Sequence, residues 1–238
     1  MSDFFSEITA PVAGGDQFGA DVNHDPDYER LKGEMGKLGD IDVSVVEALS
    51  RKILAEKSKD ARVMAWAAYA ALRRNDIGRL ADVFCALAYY CQEGFERLFP
   101  QREGAKTAAL RWFSEPRFDS QCVRAAPKES DAPHITRLKN ALSQIRLALE
   151  KRYADGAPPL SSVYKHAELW EKAVKYMLAP PAADSPQQAR EKEKAAGNAA
   201  AGEIDSLPET VVIKLSRGEY REISDCIKKM EALLKRTA

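Results

Sequence analysis

The chain has 238 residues, its 36 Lys and Arg residues are balanced by 36 Asp and Glu residues, and 45 % of its residues are hydrophobic. This length is typical of one or two globular domains, since a domain has roughly 100–200 residues. A formal net charge of zero argues against a protein that binds nucleic acid through an overall basic surface.

The sequence also lacks the features of a membrane or exported protein. Its longest apolar runs are residues 63–72 and 83–91, whereas a membrane-spanning helix needs about 20 apolar residues. The first residues are acidic and do not show the basic-then-apolar order of a signal peptide. We therefore expect a cytoplasmic protein that does not insert into a membrane.

The first predicted helix begins after 25 residues that are rich in turn-forming residues. Asp25 and Pro26 are typical of a helix start, with Asp25 as the N-cap and Pro26 at the first helical position. The apolar residues that follow recur every three or four positions, as on one face of a helix: Tyr28, Leu31, Met35 and Leu38. A second helix is predicted to begin at Asp42 or Ser44.

Two helices at residues 60–74 and 80–98 are predicted to form the centre of the core. The first of them, with Ser58 as its expected N-cap, is apolar on nearly all sides, and such a helix must be buried. The second repeats this apolar pattern. Full burial of a large side chain contributes about 1.5–3 kcal/mol, so truncation of Trp66 or Phe84 is expected to unfold the domain.

Three more helices are predicted in the next part of the chain. A short one spans residues 105–114, and an irregular stretch through Pro116, Pro127 and Pro133 follows it. The last two helices are separated by a short segment rich in Gly and Pro, which predicts an antiparallel hairpin. The expected fold class is therefore all-α, with a multi-helix bundle domain over residues 1–178.

The composition changes after residue 178. Residues 179–210 are rich in Ala and Pro and contain no aromatic residue, so they cannot bury enough surface to offset the entropy of ordering. We predict a disordered linker there. In residues 211–238, Ser216 and Glu219 form a capping-box pattern, and an apolar stripe follows it. This predicts a C-terminal amphipathic helix.

The sequence contains no recognisable constellation of catalytic residues. Its Gly-rich loop, Gly14 to Gly19, follows no predicted strand and lacks the Lys–Ser/Thr pair of a phosphate-binding loop, so we interpret it as a flexible turn. The three histidines, which are far apart in the sequence, are expected to be solvated: His24, His134 and His166. The four cysteines do not have metal-ligand spacing. We therefore predict that the protein is not an enzyme and has no catalytic, cofactor or metal site.

One charged cluster precedes the most apolar predicted helix. Lys59, Asp60 and Arg62 lie at its start, and charges at the end of a buried helix persist only if they are paired or exposed. In the structural interpretation, Ser58 caps the helix, Asp60 offsets the helix dipole and Arg62 pairs with Asp25 or Asp27. In the functional interpretation, the same residues form a charged recognition edge. The sequence leaves both open, with the structural interpretation favoured.

The order of several motifs resembles one known family. These motifs are P-x-x-G-G-D followed by D-P-D-Y within residues 11–28, S-K-D-x-R-V at 58–63 before a helix containing Trp66, I-G-x-L at 77–80, and G-F-E-R-L-F-P at 94–100. The chain resembles the ImpA N-terminal domain of the TssA-like proteins of bacterial type VI secretion systems. The resemblance covers about residues 5–178, and it implies that seven motif residues are structural or partner-binding: Asp25, Pro26, Ser58, Lys59, Asp60, Arg62 and Trp66.

The resemblance implies a non-enzymatic component that associates with baseplate, sheath or tube proteins during tail assembly. It also implies possible homo-oligomerisation, although family members commonly oligomerise through a separate C-terminal region. Residues 211–238 resemble only the start of a second helical domain. An alternative reading, from the residues themselves, is a general helical protein–protein interaction adaptor unrelated to secretion.

Overall fold

Helices make up most of the residues that the structure, a computed structural model, describes: residues 3–14, 16–153 and 160–179. Within these ranges there are nine α-helices, two short 3-10 helices and no β-strand. The predicted all-α class is therefore confirmed. None of these helices is long and apolar enough to cross a membrane. Nearly all of the predicted linker and the whole C-terminal helix lie outside the described residues and stay predictions.

The helices follow one another with short connections. They are α1 (Asp3–Thr9), α2 (Pro26–Met35), α3 (Val43–Glu56), α4 (Ala61–Arg73), α5 (Ile77–Glu93), α6 (Glu103–Arg111), α7 (Pro116–Arg124), α8 (Ala132–Arg152) and α9 (Ser161–Leu178). The 3-10 helices are Trp112–Ser114 and Glu129–Asp131. The start of α2 is as predicted, because the Asp25 carboxylate accepts hydrogen bonds from the backbone N–H groups of Asp27 and Tyr28. Asp42 caps α3 in the same way.

Helices α4 and α5 lie at the centre of the core. Helix α4 packs against α3, α5, α6 and α7, and α5 also packs against α1 and α8. Ten of the thirteen residues of α4 are buried, and the many alanines among them let the neighbouring helices approach closely. Helix α8 also packs against α9, and Lys139 in the first half of α8 pairs with Glu171 in the second half of α9. That pairing is the one expected of an antiparallel hairpin.

Two helices form where none was predicted. Helix α1 lies within the turn-rich N-terminal segment, and its residues Phe4 and Ile8 are buried against the core. Helix α7 lies within the stretch that was predicted to be irregular, with Pro116 at its first position and Phe118 fully buried. Both helices are short, and short helices are stable mainly through tertiary packing rather than through propensity. Their apolar positions are too few to produce a periodic pattern.

Helix α5 ends five residues earlier than predicted, at Glu93, and the next residue, Gly94, lies close to the ring of Phe18. A Cβ atom on Gly94 would lie 2.4 Å from Cζ of Phe18, so only glycine fits against this ring. The chain turns there, and the Gly94 N–H still donates to the Tyr90 carbonyl. Phe95 and Leu98, which were expected to continue the helix, are buried from the turn that follows.

Phe84 and Trp66, whose truncation the sequence predicts to be equally damaging, differ in burial. Phe84 is fully buried and packs against Phe113 with ring centres 4.9 Å apart, whereas Trp66 is only half-buried and stacks on Tyr28. Phe84→Ala is therefore expected to cost about 3–5 kcal/mol of unfolding free energy, and Trp66→Ala clearly less. Urea unfolding of the two variants checks this order. Equal losses would contradict the difference in burial.

Candidate functional site

The charged motif occupies the loop between α3 and α4, which is bonded to two distant parts of the chain. The Lys59 N–H donates to the Phe18 carbonyl at 2.8 Å, and the Lys59 carbonyl accepts from the Phe99 N–H at 2.9 Å. The Ala61 N–H in turn donates to the Phe99 carbonyl at 2.7 Å. The loop therefore joins the N-terminal segment to the segment that follows α5. We call residues 57–62, which comprise this loop and the first two residues of α4, the motif loop.

Lys59 is the most unusual residue of the motif loop, because its side chain is fully buried. The ammonium group donates to the carbonyl of Ile8 at 2.9 Å and to that of Leu54 at 2.5 Å. These carbonyls lie in the last turns of α1 and α3, where backbone oxygens lack partners within the helix. The Tyr90 hydroxyl also donates to the Ile8 carbonyl. Lys59 thus places a cation at the negative ends of two helix dipoles.

Burial of Lys59 changes its protonation equilibrium. Removal of the ammonium group from water lowers the pKa of Lys59 to about 8. Among the residues described, no carboxylate pairs with it, so its hydrogen-bonding partners are backbone carbonyls. The side chain therefore has a structural position, in which it joins α1 to α3 beneath the motif loop.

Asp60 and Arg62 form a pair at the start of α4. The fully buried Asp60 carboxylate accepts from the Arg62 N–H at 2.8 Å, which makes Asp60 the N-cap, and it also accepts from the Arg62 guanidinium at 2.6 Å. Although burial disfavours the charged form of Arg62, its bonds with Asp60 outweigh that cost and raise its pKa. The guanidinium also lies 4.6 Å from the ring centre of Tyr28.

Two predictions about the motif loop are therefore wrong. Ser58 does not cap α4: its hydroxyl is buried and has no hydrogen-bond partner among the described residues, because the chain enters the helix two residues later, at Asp60. Arg62 does not pair with Asp25 or Asp27. The carboxylate next to it on the same turn is closer, and the two predicted acidic partners are taken by lysines.

Asp25 and Asp27, at the start of α2, bind lysines of α3 and of the motif loop. Lys57 contacts Asp25 at 2.8 Å and Asp27 at 2.6 Å, and Lys52 contacts Asp27 at 2.9 Å. Hydrogen bonds from Lys52 and then Lys57 lower the pKa of Asp27 to about 2. Pro26 begins α2 between these carboxylates. The six motif residues from Asp25 to Arg62 therefore contact or adjoin one another, and Trp66 reaches the group through Tyr28.

A second buried lysine was missed by the sequence analysis. Lys106 of α6 is 1 % exposed and donates to the carbonyls of Phe95 and Glu96, and its ammonium lies 4.7 Å from the centre of the Phe95 ring. Lys106 thus stabilises the turn after α5 through hydrogen bonds to backbone carbonyls, the same kind of bond by which Lys59 joins α1 to α3. The available signal was its position three and four residues before Ala109 and Leu110, on the apolar face of α6.

His166 differs from the expectation that all three histidines are solvated. It is buried, and its Nε2 atom lies 2.9 Å from the Asp119 carboxylate, which also accepts from the Ser162 hydroxyl. These bonds lower the pKa of Asp119. Because Ser162 and His166 both bind the carboxylate, the arrangement lacks the serine–histidine bond of a nucleophilic triad. It connects α7 to α9.

One surface groove is lined by paired charges. The groove beside α3 contains Glu7, Glu47, Arg51 and Arg74, and these side chains form the ion pairs Arg51–Glu7 and Arg74–Glu47. Within the described part of the chain, no three His, Cys, Asp or Glu side chains are grouped closely enough to hold a metal ion. In this groove, the charged side chains therefore form ion pairs that connect helices.

Comparison with known proteins gives two matches. Residues 9–115 match the family described as ImpA, N-terminal, type VI secretion system. No curated protein matches the chain. Among solved structures, the chain is similar to the N-terminal domain, including the conserved ImpA_N region, of the TssA component of the type VI secretion system from Burkholderia cenocepacia. The TM-score is 0.59 and the identity 13 %, and the match covers 74 % of this chain and 94 % of the solved one.

The two matches support each other. The family match begins in the last residue of α1 and ends just after the first 3-10 helix, so it includes the motif loop and its partners from α2 and the turn after α5. The structural match covers a larger share of the chain and shows that the helical fold is shared despite the low identity. Residues 9–115 therefore match the ImpA N-terminal family of the type VI secretion system, and this match indicates a component of such a system.

Proposed function

We propose that the protein is a non-enzymatic assembly component of a type VI secretion system. It acts in the cytoplasm and associates with baseplate, sheath or tube proteins during tail assembly. The family match over residues 9–115 is the observation that carries this proposal. The alternative of a helical adaptor outside secretion lacks a comparable observation.

The geometry of the motif loop supports a scaffold rather than a catalyst. A catalytic acid, base or nucleophile must be able to reach a substrate, whereas Lys59 and Asp60 are fully buried and used by internal hydrogen bonds. We infer that the motif residues hold together the surface that partners contact. In this interpretation, Lys59 and Asp60 act on binding only through the fold.

Co-purification of the full chain with individually expressed baseplate, sheath and tube proteins tests the proposal. We expect at least one of the three to bind at physiological salt, and size-exclusion chromatography with light scattering gives the stoichiometry and shows whether the chain self-associates. A matched helical protein of unrelated function serves as the negative control. Failure of all three proteins to bind the folded full chain would overturn the proposed role.

A further inference from the structure

Two arginines from different helices meet at one aromatic ring. Tyr69 of α4 is buried, and its ring centre lies 6.0 Å from the guanidinium carbon of Arg73 and 5.6 Å from that of Arg117. Arg73 is exposed and Arg117 is half-buried. Two guanidinium groups from different helices thus lie against the same aromatic ring.

Among the described residues, these two arginines have no carboxylate partner, although eight other arginines there do. Ion pairs with Asp or Glu are formed by Arg51, Arg62, Arg74, Arg79, Arg97, Arg137, Arg146 and Arg152. Within the described ranges, Arg73 donates instead to the Tyr69 hydroxyl at 3.2 Å, and Arg117 to the carbonyls of Met35 and Lys37 at 2.5 and 2.9 Å.

The acidic residues nearest to Arg117 in the sequence form no ion pair with it or with Arg73 among the described residues. Asp119 is bound by Ser162 and His166, and the exposed Glu115 forms no ion pair among the described residues. The carbonyl bonds of Arg117 fix its guanidinium at the end of α2 without supplying a full negative charge. The guanidinium of Arg117 is therefore held in place, and no described carboxylate pairs with either arginine at Tyr69.

The surroundings have the composition of a protein interface. Trp112 is half-buried and meets Tyr69 edge-on, with ring centres 5.8 Å apart. Trp, Tyr and Arg are the residue types most enriched at the energetic centres of interfaces. The Tyr69 ring covers part of each guanidinium, and partial removal from water strengthens the attraction of a cation for an anion.

We propose that Arg73 and Arg117, which lie against the Tyr69 ring, bind carboxylates of an acidic segment on a partner protein. The guanidinium forks match a carboxylate and form charge-assisted hydrogen bonds to it. This inference deepens the proposed function and rests on it for the identity of the partner as a protein. Its test needs no secretion protein, so the two can fail separately.

The test measures fluorescence anisotropy of a labelled peptide of alternating Glu and Gly with the full chain. We expect salt-dependent binding that weakens by about tenfold or more in the double variant Arg73→Gln/Arg117→Gln, since charge-assisted hydrogen bonds are lost. The matched control, Arg30→Gln/Arg102→Gln, removes the same charge from two exposed arginines that form no ion pair among the described residues. It is expected to bind the peptide as the unmodified protein does.

The double variant could unfold, because it loses the bonds of Arg117 to two backbone carbonyls. The single variant Arg73→Gln avoids this problem, since the Arg73 side chain is exposed. It is expected to weaken binding by a smaller factor while circular dichroism stays unchanged. Equal weakening in the control variant, or absence of peptide binding by the unmodified protein, would overturn the proposal. So would tighter binding of a duplex DNA oligonucleotide than of the acidic peptide, since the site would then be a general polyanion surface.

Discussion

Lys59→Ala is expected to remove about 3–8 kcal/mol of the free energy of unfolding. The substitution deletes a fully buried side chain and leaves a cavity, which costs about 2–5 kcal/mol, and it removes the donor from the Leu54 carbonyl, which costs about 1–3 kcal/mol. Typical domains have a total stability of about 5–15 kcal/mol. Urea unfolding followed by circular dichroism measures the loss.

Two further variants identify the cause of that loss. Lys52→Ala is the control, because this lysine is 48 % exposed and pairs with Asp27 at the surface, where an ion pair contributes about 1 kcal/mol or less. Lys59→Met fills most of the cavity but restores no donor, so its loss is expected to lie between the other two. If Lys59→Ala were as stable as Lys52→Ala, the two carbonyl bonds could not hold α1 to α3.

The same lysine predicts a dependence of stability on pH. Burial lowers the pKa of Lys59 to about 8 in the folded state, from its usual 10.5. Between these two pH values the unfolded chain binds more protons at this position than the folded protein does. The contribution of Lys59 to the free energy of unfolding therefore rises with pH across this window.

The difference in unfolding free energy between the unmodified protein and Lys59→Met isolates this effect, because the other titrating groups are common to both. We expect the difference to shift in favour of the unmodified protein as the pH is raised from 8 to 10. Below pH 7 it is expected to be constant. A difference that does not change over the alkaline range would contradict the lowered pKa.

Gly19→Ala is expected to cost about 3–5 kcal/mol, because this glycine lies directly against the motif loop. Its φ angle is +77°, and a Cβ atom there would lie 2.0 Å from the carbonyl oxygen of Lys57. The backbone of the motif loop would have to move. That movement would disrupt the hydrogen bond from the Ala20 N–H to the same carbonyl and the bond from the Lys59 N–H to Phe18.

Gly14→Ala is the matched control for this prediction. Gly14 also has a positive φ angle, +84°, but no atom lies within 4 Å of the position that a Cβ would take. Its replacement is expected to cost only the backbone strain, about 1–2 kcal/mol. Thermal unfolding of the two variants compares them directly. Similar losses would show that the close approach of Gly19 to Lys57 is unimportant.

The helices that could be predicted are those whose signals are local. Asp25 and Pro26 identify the start of α2, Asp42 was one of two predicted starts of α3, and the regular apolar spacing identified α8 and α9. Capping and helical periodicity depend on residues within one or two turns. Helices α1 and α7 were missed because they are short and are stabilised by contacts with distant residues.

In the candidate site, too, local features could be predicted from the sequence and long-range contacts could not. The sequence identified the motif loop as unusual, since three charged residues precede an apolar helix. It could not predict which charge is buried, which residue caps α4, or which carboxylate pairs with Arg62. Those outcomes depend on segments far away in the chain: the Lys59 ammonium binds a carbonyl 51 residues away, and the pair at Tyr69 unites α4 with α7.

The amino-acid sequence by itself thus determined the helical class, most helix positions and the family resemblance of this protein, because each is encoded in neighbouring residues and their order. Only the tertiary structure decided that Lys59 binds carbonyls at the ends of two helices and that Arg73 and Arg117 lie against one ring with no carboxylate partner among the described residues. The physical reason is that burial and charge pairing depend on which distant surfaces meet, and packing of the whole core determines those meetings.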